Sequence, residues 1–145
     1  KTNPFLAPMD IRGVSGQTLR DAWQQGAQAY LGMMTHGFPN LFMLYGPNTN
    51  LGHNSIVIMA EAQSRYITDV ITELDSRSQE TIDVKDEVEQ QYNEEMQQRL
   101  SEMAWNAIEA SWYKDGDKIT NNWPGSTYEY IRRTRQVQWD DYKIS

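Results

Sequence analysis

Leu41-Phe-Met-Leu-Tyr45 runs directly into Gly46-Pro-Asn-Thr-Asn-Leu-Gly52 and then His53-Asn-Ser55, and this stretch decides how the chain is read. Five bulky side chains without polar alternation suit a strand buried on both faces of an α/β sheet. Gly and Pro then interrupt the extended chain, and beyond them the apolar period lengthens. Ile56, Met59, Ala60, Ile67, Val70, Ile71 and Leu74 fall within an arc of about 120° at roughly 100° per residue, which predicts an amphipathic helix. Asn54 or Ser55 is a suitable N-cap. A strand, a Gly-containing turn and a helix in this order leave the N–H groups of the helix's first turn facing outward, where they and the helix dipole favour negative charge. That end of a strand is where α/β folds place ligands. Asn48, Thr49, Asn50, His53 and Asn54 add neutral hydrogen-bonding groups, which suit a polar, partly anionic ring better than a metal. The run is neither G-x-G-x-x-G nor a P-loop, having no Lys, so spacing alone favours a plainer strand-to-helix turn capped by Asn.

Working outward, Asp10 to Leu19 reads as a turn-rich excursion, and Leu19, Ala22 and Trp23 predict a turn or two of helix stopped near Gly26. Ala29 to His36 is β-compatible and would pair with 41–45 across the turn Gly37-Phe-Pro-Asn40. After a polar break at 75–83, Val84, Val88, Tyr92, Met96, Leu100 and Met103 mark a second helix to about Ile108. Lys114-Asp-Gly-Asp-Lys118 is a hairpin turn, and Trp123-Pro-Gly-Ser-Thr127 is a turn that starts a short basic helix. Met59, Met96 and Met103 read as core filler, and Arg132, Arg133 and Arg135 as a solvated basic turn.

The chain has 145 residues, 20 acids, 13 Lys and Arg, and no Cys. Its length suits one unit, and its mean hydropathy of -0.74 implies much solvated surface. The net charge of -7 argues against a nucleic-acid binder. All of that excess lies between Glu73 and Glu102, where ten acids face three bases, so it reads as one solvated helical face. Absence of Cys excludes disulfides, thiolate zinc sites and a Cys nucleophile. No apolar run approaches the roughly 20 residues of a membrane span, and a cytoplasmic protein is expected. His36 and His53 lack carboxylates at ligand spacing, so no metal site is expected. The serines lack a G-x-S-x-G setting.

The blocks 29–33 and 37–55, Glu61-Ala-Gln63, Arg65-Tyr66, Trp105, Ser111-Trp-Tyr-Lys-Asp-Gly116, Trp123-Pro-Gly-Ser-Thr127 and Arg132-Arg-Thr-Arg135 closely resemble, in order, the C-terminal part of Baeyer–Villiger-type flavoprotein monooxygenases. Phe5-Leu-Ala-Pro-Met9 and Asp21-Ala-Trp23 extend the likeness to nearly the whole chain.

The resemblance implies an α/β fold, or α+β in isolation. It would be the incomplete end of a Rossmann-like FAD-binding domain, with two main helices and an irregular Trp-rich tail. The chain would be a single unit, 1–145: the end of the FAD-binding domain at 1–74, an acidic helical segment at 75–110, and a lid loop and tail at 111–145. It further implies FAD and NADPH as cofactors, a small-molecule ketone as substrate, and oxygen insertion beside the carbonyl to give an ester or lactone. Gly46, Pro47, Asn48, Asn50, Leu51, Gly52, His53 and Asn54 correspond to the part that approaches the flavin. Trp112 and Tyr113 correspond to the loop that folds over NADP and closes the pocket, with Trp112 also contacting the cofactor. In this chain Asn106-Ala-Ile-Glu-Ala110 precedes Ser111 where the family has glycine and cysteine. The dinucleotide fingerprints belong to N-terminal FAD and NADPH domains that would lie ahead of Lys1, so the isolated chain is expected to be inactive. The rival expectation is a stand-alone helical interaction module without cofactor. An uncovered apolar strand makes a homodimer expected in either case.

Overall fold

The computed structural model describes residues 6, 9–51, 55–106, 114–115 and 118–145. A one-turn helix α1 (Leu19–Ala22) is followed by the 21-residue α2 (Ile56–Ser76), the strand β1 (Ile82–Val84) and the 21-residue α3 (Asp86–Asn106). A short antiparallel pair, β2 (Lys114–Asp115) and β3 (Lys118–Ile119), leads to α4 (Thr127–Arg133), a 3-10 turn (Trp139–Asp141) and β4 (Tyr142–Ile144). The fold is therefore a mixture of helix and strand, with two main helices as expected.

Three helix starts carry hydroxyl caps, each satisfying an N–H that has no partner within its helix. Thr18 Oγ1 accepts from Asp21 N (3.1 Å), Ser55 Oγ from Val57 N (3.2 Å) and Ser126 Oγ from Glu129 N (3.1 Å). The exposed acids Asp86 and Glu87 in the first turn of α3 complement its dipole. β4 returns the chain's end to β1 in antiparallel register, with Ile82 opposite Ile144 and Val84 opposite Tyr142. Thr81 and Ser145 exchange backbone bonds just beyond this pair.

The core gathers Met59, Ala62, Tyr66, Val70 and Leu74 of α2, Tyr92 and Met96 of α3, Ile82 and Val84 of β1, Tyr130 of α4, and the turn at 30–34. Its most consequential member is polar. Gln63 is 0% exposed; its Oε1 accepts the N–H of Tyr45 (2.9 Å) and its Nε2 donates to Tyr130 Oη (2.9 Å). Tyr130 in turn donates to the carbonyl of Leu31 (2.5 Å). Tyr66 and Tyr142 share a second buried bond at 2.6 Å. Burial pushes the phenols of Tyr66 and Tyr130 up, so both remain protonated donors.

Several expectations change. Residues 41–45 form no strand. Leu31, Asn40 and Tyr45 all take positive φ (53°, 61° and 56°), which breaks extended backbone on both sides of the run. Met43 N bonds to Met33 O (2.8 Å) and Tyr45 N to Gln63, so the backbone is satisfied by a turn and a side chain instead of a neighbouring strand. The buried stripe of α2 is rotated toward Ala62, Gln63 and Tyr66, leaving Ile56 and Ile71 exposed. Met103 is also exposed, while Met59 and Met96 are core. The C-terminal stretch is not irregular: α4, the 3-10 turn and β4 order most of 127–144.

The acidic segment is not wholly solvated either. Glu89 is 2% exposed; its Oε2 accepts the N–H of His36 (2.8 Å), while Oε1 is buried without a hydrogen bond. Asp83 accepts the N–H of Gly37 on both oxygens (3.1 Å each), and His36 Nδ1 lies 2.8 Å from Val84 O and 3.6 Å from Asp83. Desolvation raises Asp83 and lifts Glu89 to about 7, against the bond from His36 that lowers it.

Gln63→Leu leaves the Tyr45 N–H buried without an acceptor and is expected to cost about 2–3 kcal/mol in urea unfolding. Glu89 holds its proton in the fold up to about pH 7, whereas the unfolded chain releases it near 4.5. Between those values the native state binds more protons, so stability falls as pH rises through the window, by up to about 3 kcal/mol. Thermal melts from pH 4.5 to 7.5 are expected to show this fall, and Glu89→Gln to flatten it.

Candidate functional site

The loop 45–51 carries most of the described residues singled out by sequence, and the fold holds it by its backbone. Gly32 and Gly46 make it fit: a Cβ on Gly46 would stand 2.4 Å from Gly32 O, and one on Gly32 would stand 2.0 Å from Thr49 Cγ2. The 30–34 turn and the loop thus touch main chain to main chain. Thr49, fully buried, closes the bend through Oγ1 to Gly46 O (2.7 Å). Asn48 sits at φ 57°, a left-handed conformation that Asn tolerates.

Asn48 is 3% exposed, and its amide faces the protein. Nδ2 donates to Ile119 O (2.7 Å) and Asn122 O (3.0 Å), and its N–H donates to Thr120 O (2.8 Å). Asn50 N donates to Asn121 O (2.9 Å), Trp123 N donates to Asn50 O (2.8 Å), and Tyr45 Oη donates to Asn50 Oδ1. Segment 119–123 therefore runs beside 48–50 as a short parallel strip. Gly46 and Pro47 are buried and Leu51 is half-buried. Gly52, His53, Asn54, Trp112 and Tyr113 lie outside the described residues.

Ser55 then opens α2, whose first turn contains no acid, so its positive end is not neutralised from within the helix. What the sequence did not expose is the support behind the loop. Trp123 packs edge-on against Tyr130 with centroids 5.2 Å apart, and its Nε1 donates to Ser126 O (3.0 Å). Arg99 and Arg133 stand 5.8 and 5.7 Å from the Trp123 ring. Arg99 grips Glu129 with two bonds (2.7 and 2.9 Å), Arg133 grips Glu95, and Arg133 Nε lies 3.4 Å from Glu129. Arg99 holds the Glu129 carboxyl below its ordinary range. Arg133 is thus a structural partner of α3, not part of a solvated basic turn. The i, i+4 pairs Glu95–Arg99 and Glu129–Arg133 were the available sequence signal.

Two cavities flank these elements. One of about 340 Å³ is walled by Met9, Ile11 and 41–46; the other, about 460 Å³, lies between α3 and 138–141 over Tyr30 and Tyr92. Among the described residues no cluster of His, Asp and Glu could hold a metal ion, and no helix is long and apolar enough to cross a membrane.

No protein-family model matches the chain. It is 42% identical over 148 residues to the FAD-binding monooxygenase ktnD of Aspergillus niger, covering 98% of this chain and 24% of that protein. It is 39% identical over 138 residues to a Baeyer–Villiger monooxygenase of Pseudomonas aeruginosa, covering 93% of this chain and 26% of that one. Its structure is similar to an oxidized steroid monooxygenase bound to NADP, with TM-score 0.82, 28% identity, and 96% of this chain against 27% of that one. It is also similar to OTEMO in complex with FAD and NADP, with TM-score 0.80, 26% identity, and 97% of this chain against 27% of that one. The chain spans about a quarter of the length of these relatives.

Asn48→Gly keeps the left-handed backbone but removes both amide bonds, and is expected to lower stability by about 1–3 kcal/mol. Asn48→Ala adds the cost of an unfavourable φ and is expected to be the more damaging of the two in urea melts.

Proposed function

We propose, from the premise that this chain is homologous to FAD-binding and Baeyer–Villiger monooxygenases along nearly its whole length, that it is the C-terminal, flavin-facing portion of an FAD- and NADPH-dependent monooxygenase. The substrate is a small ketone, and the product an ester or lactone with one oxygen of O₂ beside the former carbonyl. Residues 1–74 then complete a Rossmann-like FAD-binding domain, 75–110 form a helical segment that braces it, and 111–145 carry the loop over NADP and the tail. Bound FAD, reduced by NADPH, supplies the oxygen-transfer chemistry.

This chain's own contribution is placement. The observation that carries the assignment is the loop 45–51, whose Asn48 amide and whose N–H groups at Asn48 and Asn50 are engaged by segment 119–122, shortly ahead in sequence of the Ser55 cap of α2. A loop held in this way presents a fixed surface, which limits reorganisation when a ring binds. The acid-free first turn of α2 suits the negative charge of a reduced flavin by roughly 0.3–1 kcal/mol. Gly46, Pro47, Asn48, Asn50 and Leu51, with Gly52, His53 and Asn54, are assigned to the flavin side by the resemblance, Asn48 as the residue that anchors the loop, since its amide and its N–H are both engaged by 119–122. Trp112 and Tyr113 are assigned to the cofactor-covering loop by resemblance alone. An indole N–H on a broad apolar plate suits a ribose hydroxyl.

A second reading has one observation in its favour. Ile56, Val57 and Ile58 at the start of α2, with Leu44 beside the loop, are exposed, and apolar surface of this kind marks an interface. It suits the remaining length of a larger enzyme, or a second copy of a stand-alone helical module.

The test uses the protein produced from the whole reading frame around this segment. It is expected to purify with oxidised-flavin absorbance and to consume NADPH faster when a ketone is added, with ester or lactone appearing in step. Trp112→Ala is expected to leave FAD bound while uncoupling NADPH consumption from product. A protein that is colourless and stays so after incubation with FAD overturns the assignment.

A further inference from the structure

Gln97 lies on α3 within the acidic stretch, and its side-chain amide bonds to both main-chain groups of one residue, Ile119. Nε2 donates to Ile119 O (2.9 Å), and Oε1 accepts the N–H of Ile119 (2.9 Å). A primary amide carries N–H donors and a carbonyl acceptor side by side, so it can replace the main chain of a neighbouring strand. The same Ile119 carbonyl accepts Asn48 Nδ2 at 2.7 Å. One oxygen is therefore bonded at once from α3 and from the 46–51 loop.

From Ile119 the contact continues in register. Thr120 O holds the N–H of Asn48, Asn121 O holds the N–H of Asn50, and Trp123 N–H is held by Asn50 O. The strip 119–123 is thus the only element among the described residues seen bonding both to Gln97 and to Asn48. α3 itself is placed independently of the loop, by its packing in the core through Tyr92 and Met96 and by the ion pairs to α4.

We propose that Gln97 is a positioning residue for the 46–51 loop: it fixes Ile119, and through the strip that begins there it sets the placement of Asn48 and Asn50. Its own hydrogen bonds go to Ile119 and not to the loop. The inference rests on the flavin assignment only for naming what the loop contacts; the mechanical coupling stands on the bonds themselves.

The coupling is tested on the full 145-residue chain by amide hydrogen exchange read by NMR, with Gln97→Met, which keeps length and helix preference but removes both bonds, and Gln98→Met as the exposed-face control. In Gln97→Met the amides of Asn48, Asn50 and Trp123 are expected to exchange about tenfold faster, while those of Tyr66 and Val70 on α2 keep their wild-type rates. Gln98→Met is expected to change none of them. Unchanged exchange at Asn48 and Asn50, even with a faster Ile119, overturns the proposal because the loop then holds itself. Uniform acceleration that includes Val70 also overturns it, as a loss of global stability only. The flavin assignment is read separately, in the FAD-bound protein. A shifted flavin absorption band in Gln97→Met supports both; a loop that loosens under an unshifted band leaves the coupling standing and counts against the flavin contact alone.

Discussion

The fold depends on satisfying one buried amide. Gln63 sits at the centre of α2 where a hydrophobic residue would pack without obligation, and instead it must find two partners. It finds them in Tyr45 and in Tyr130, whose hydroxyl passes the connection on to Leu31. Three segments far apart in sequence are thereby tied to one helix position. Both chain-end partners of this relay, Leu31 and Tyr45, are non-glycine residues at positive φ. Such conformations cost of order 1 kcal/mol or more and persist only where surrounding contacts over-determine them. The relay supplies that determination, and the glycine contact between Gly32 and Gly46 lies between its two ends.

This explains which parts of the structure were legible beforehand. The two long helices could be read because their extent depends on local matters: a Ser cap, a run of helix formers, a polar break. The antiparallel pairing of 114–115 with 118–119 and the turn before α4 were legible for the same reason, since Gly, Asp, Pro and Ser in a sequence mark where a chain reverses locally. The misreading of 41–45 as a strand has a physical origin. A run of apolar side chains records that a segment is buried, not whether a neighbour exists to complete its ladder. Here Gln63 and Met33 take that place. The rotation of the α2 stripe is the same error seen from the helix: ranking by hydrophobicity excludes Gln63 and Tyr66, the two side chains whose hydrogen bonds allow them to be buried.

At the candidate site, composition marked the loop as a row of ligand-binding side chains, and the fold puts two of those side chains to another use. Asn48 and Thr49 look like ligand-binding groups in a list of polar residues. In the fold they are the means by which the loop is fastened, with Asn48 bonding backwards to Ile119 and Asn122 and Thr49 closing its own turn. With the Asn48 amide and the N–H groups of Asn48 and Asn50 all bonded to 119–122, the loop has little freedom to relax. Preorganisation of that sort is what a cofactor surface requires, and it leaves a weak sequence signal because the partners are carbonyl groups, which every residue has.

α3 carries the same logic furthest. Its sequence has ample charge and a thin apolar stripe, which suggests a helix loosely attached by Tyr92, Met96 and Leu100. Yet its inward side also bears Glu89 against His36, Glu95 between two arginines, and Gln97 against Ile119. Apolar burial tolerates small rotations, because contact area changes gradually as a helix turns. Hydrogen bonds and bidentate ion pairs do not, since they weaken steeply once distance and angle leave a narrow range. A helix held on three sides by directional contacts has its register set to the residue. The burial of Glu89 opposes stability near neutral pH, but Glu89 lies in the first turn of α3 against His36, while Gln97 lies two turns further on, at the middle of the helix, against Ile119. The acidic helix therefore keeps a solvated face, with Asp86, Glu87, Glu94 and Glu102 exposed, while its other face clamps two stretches of backbone, at His36 and at Ile119.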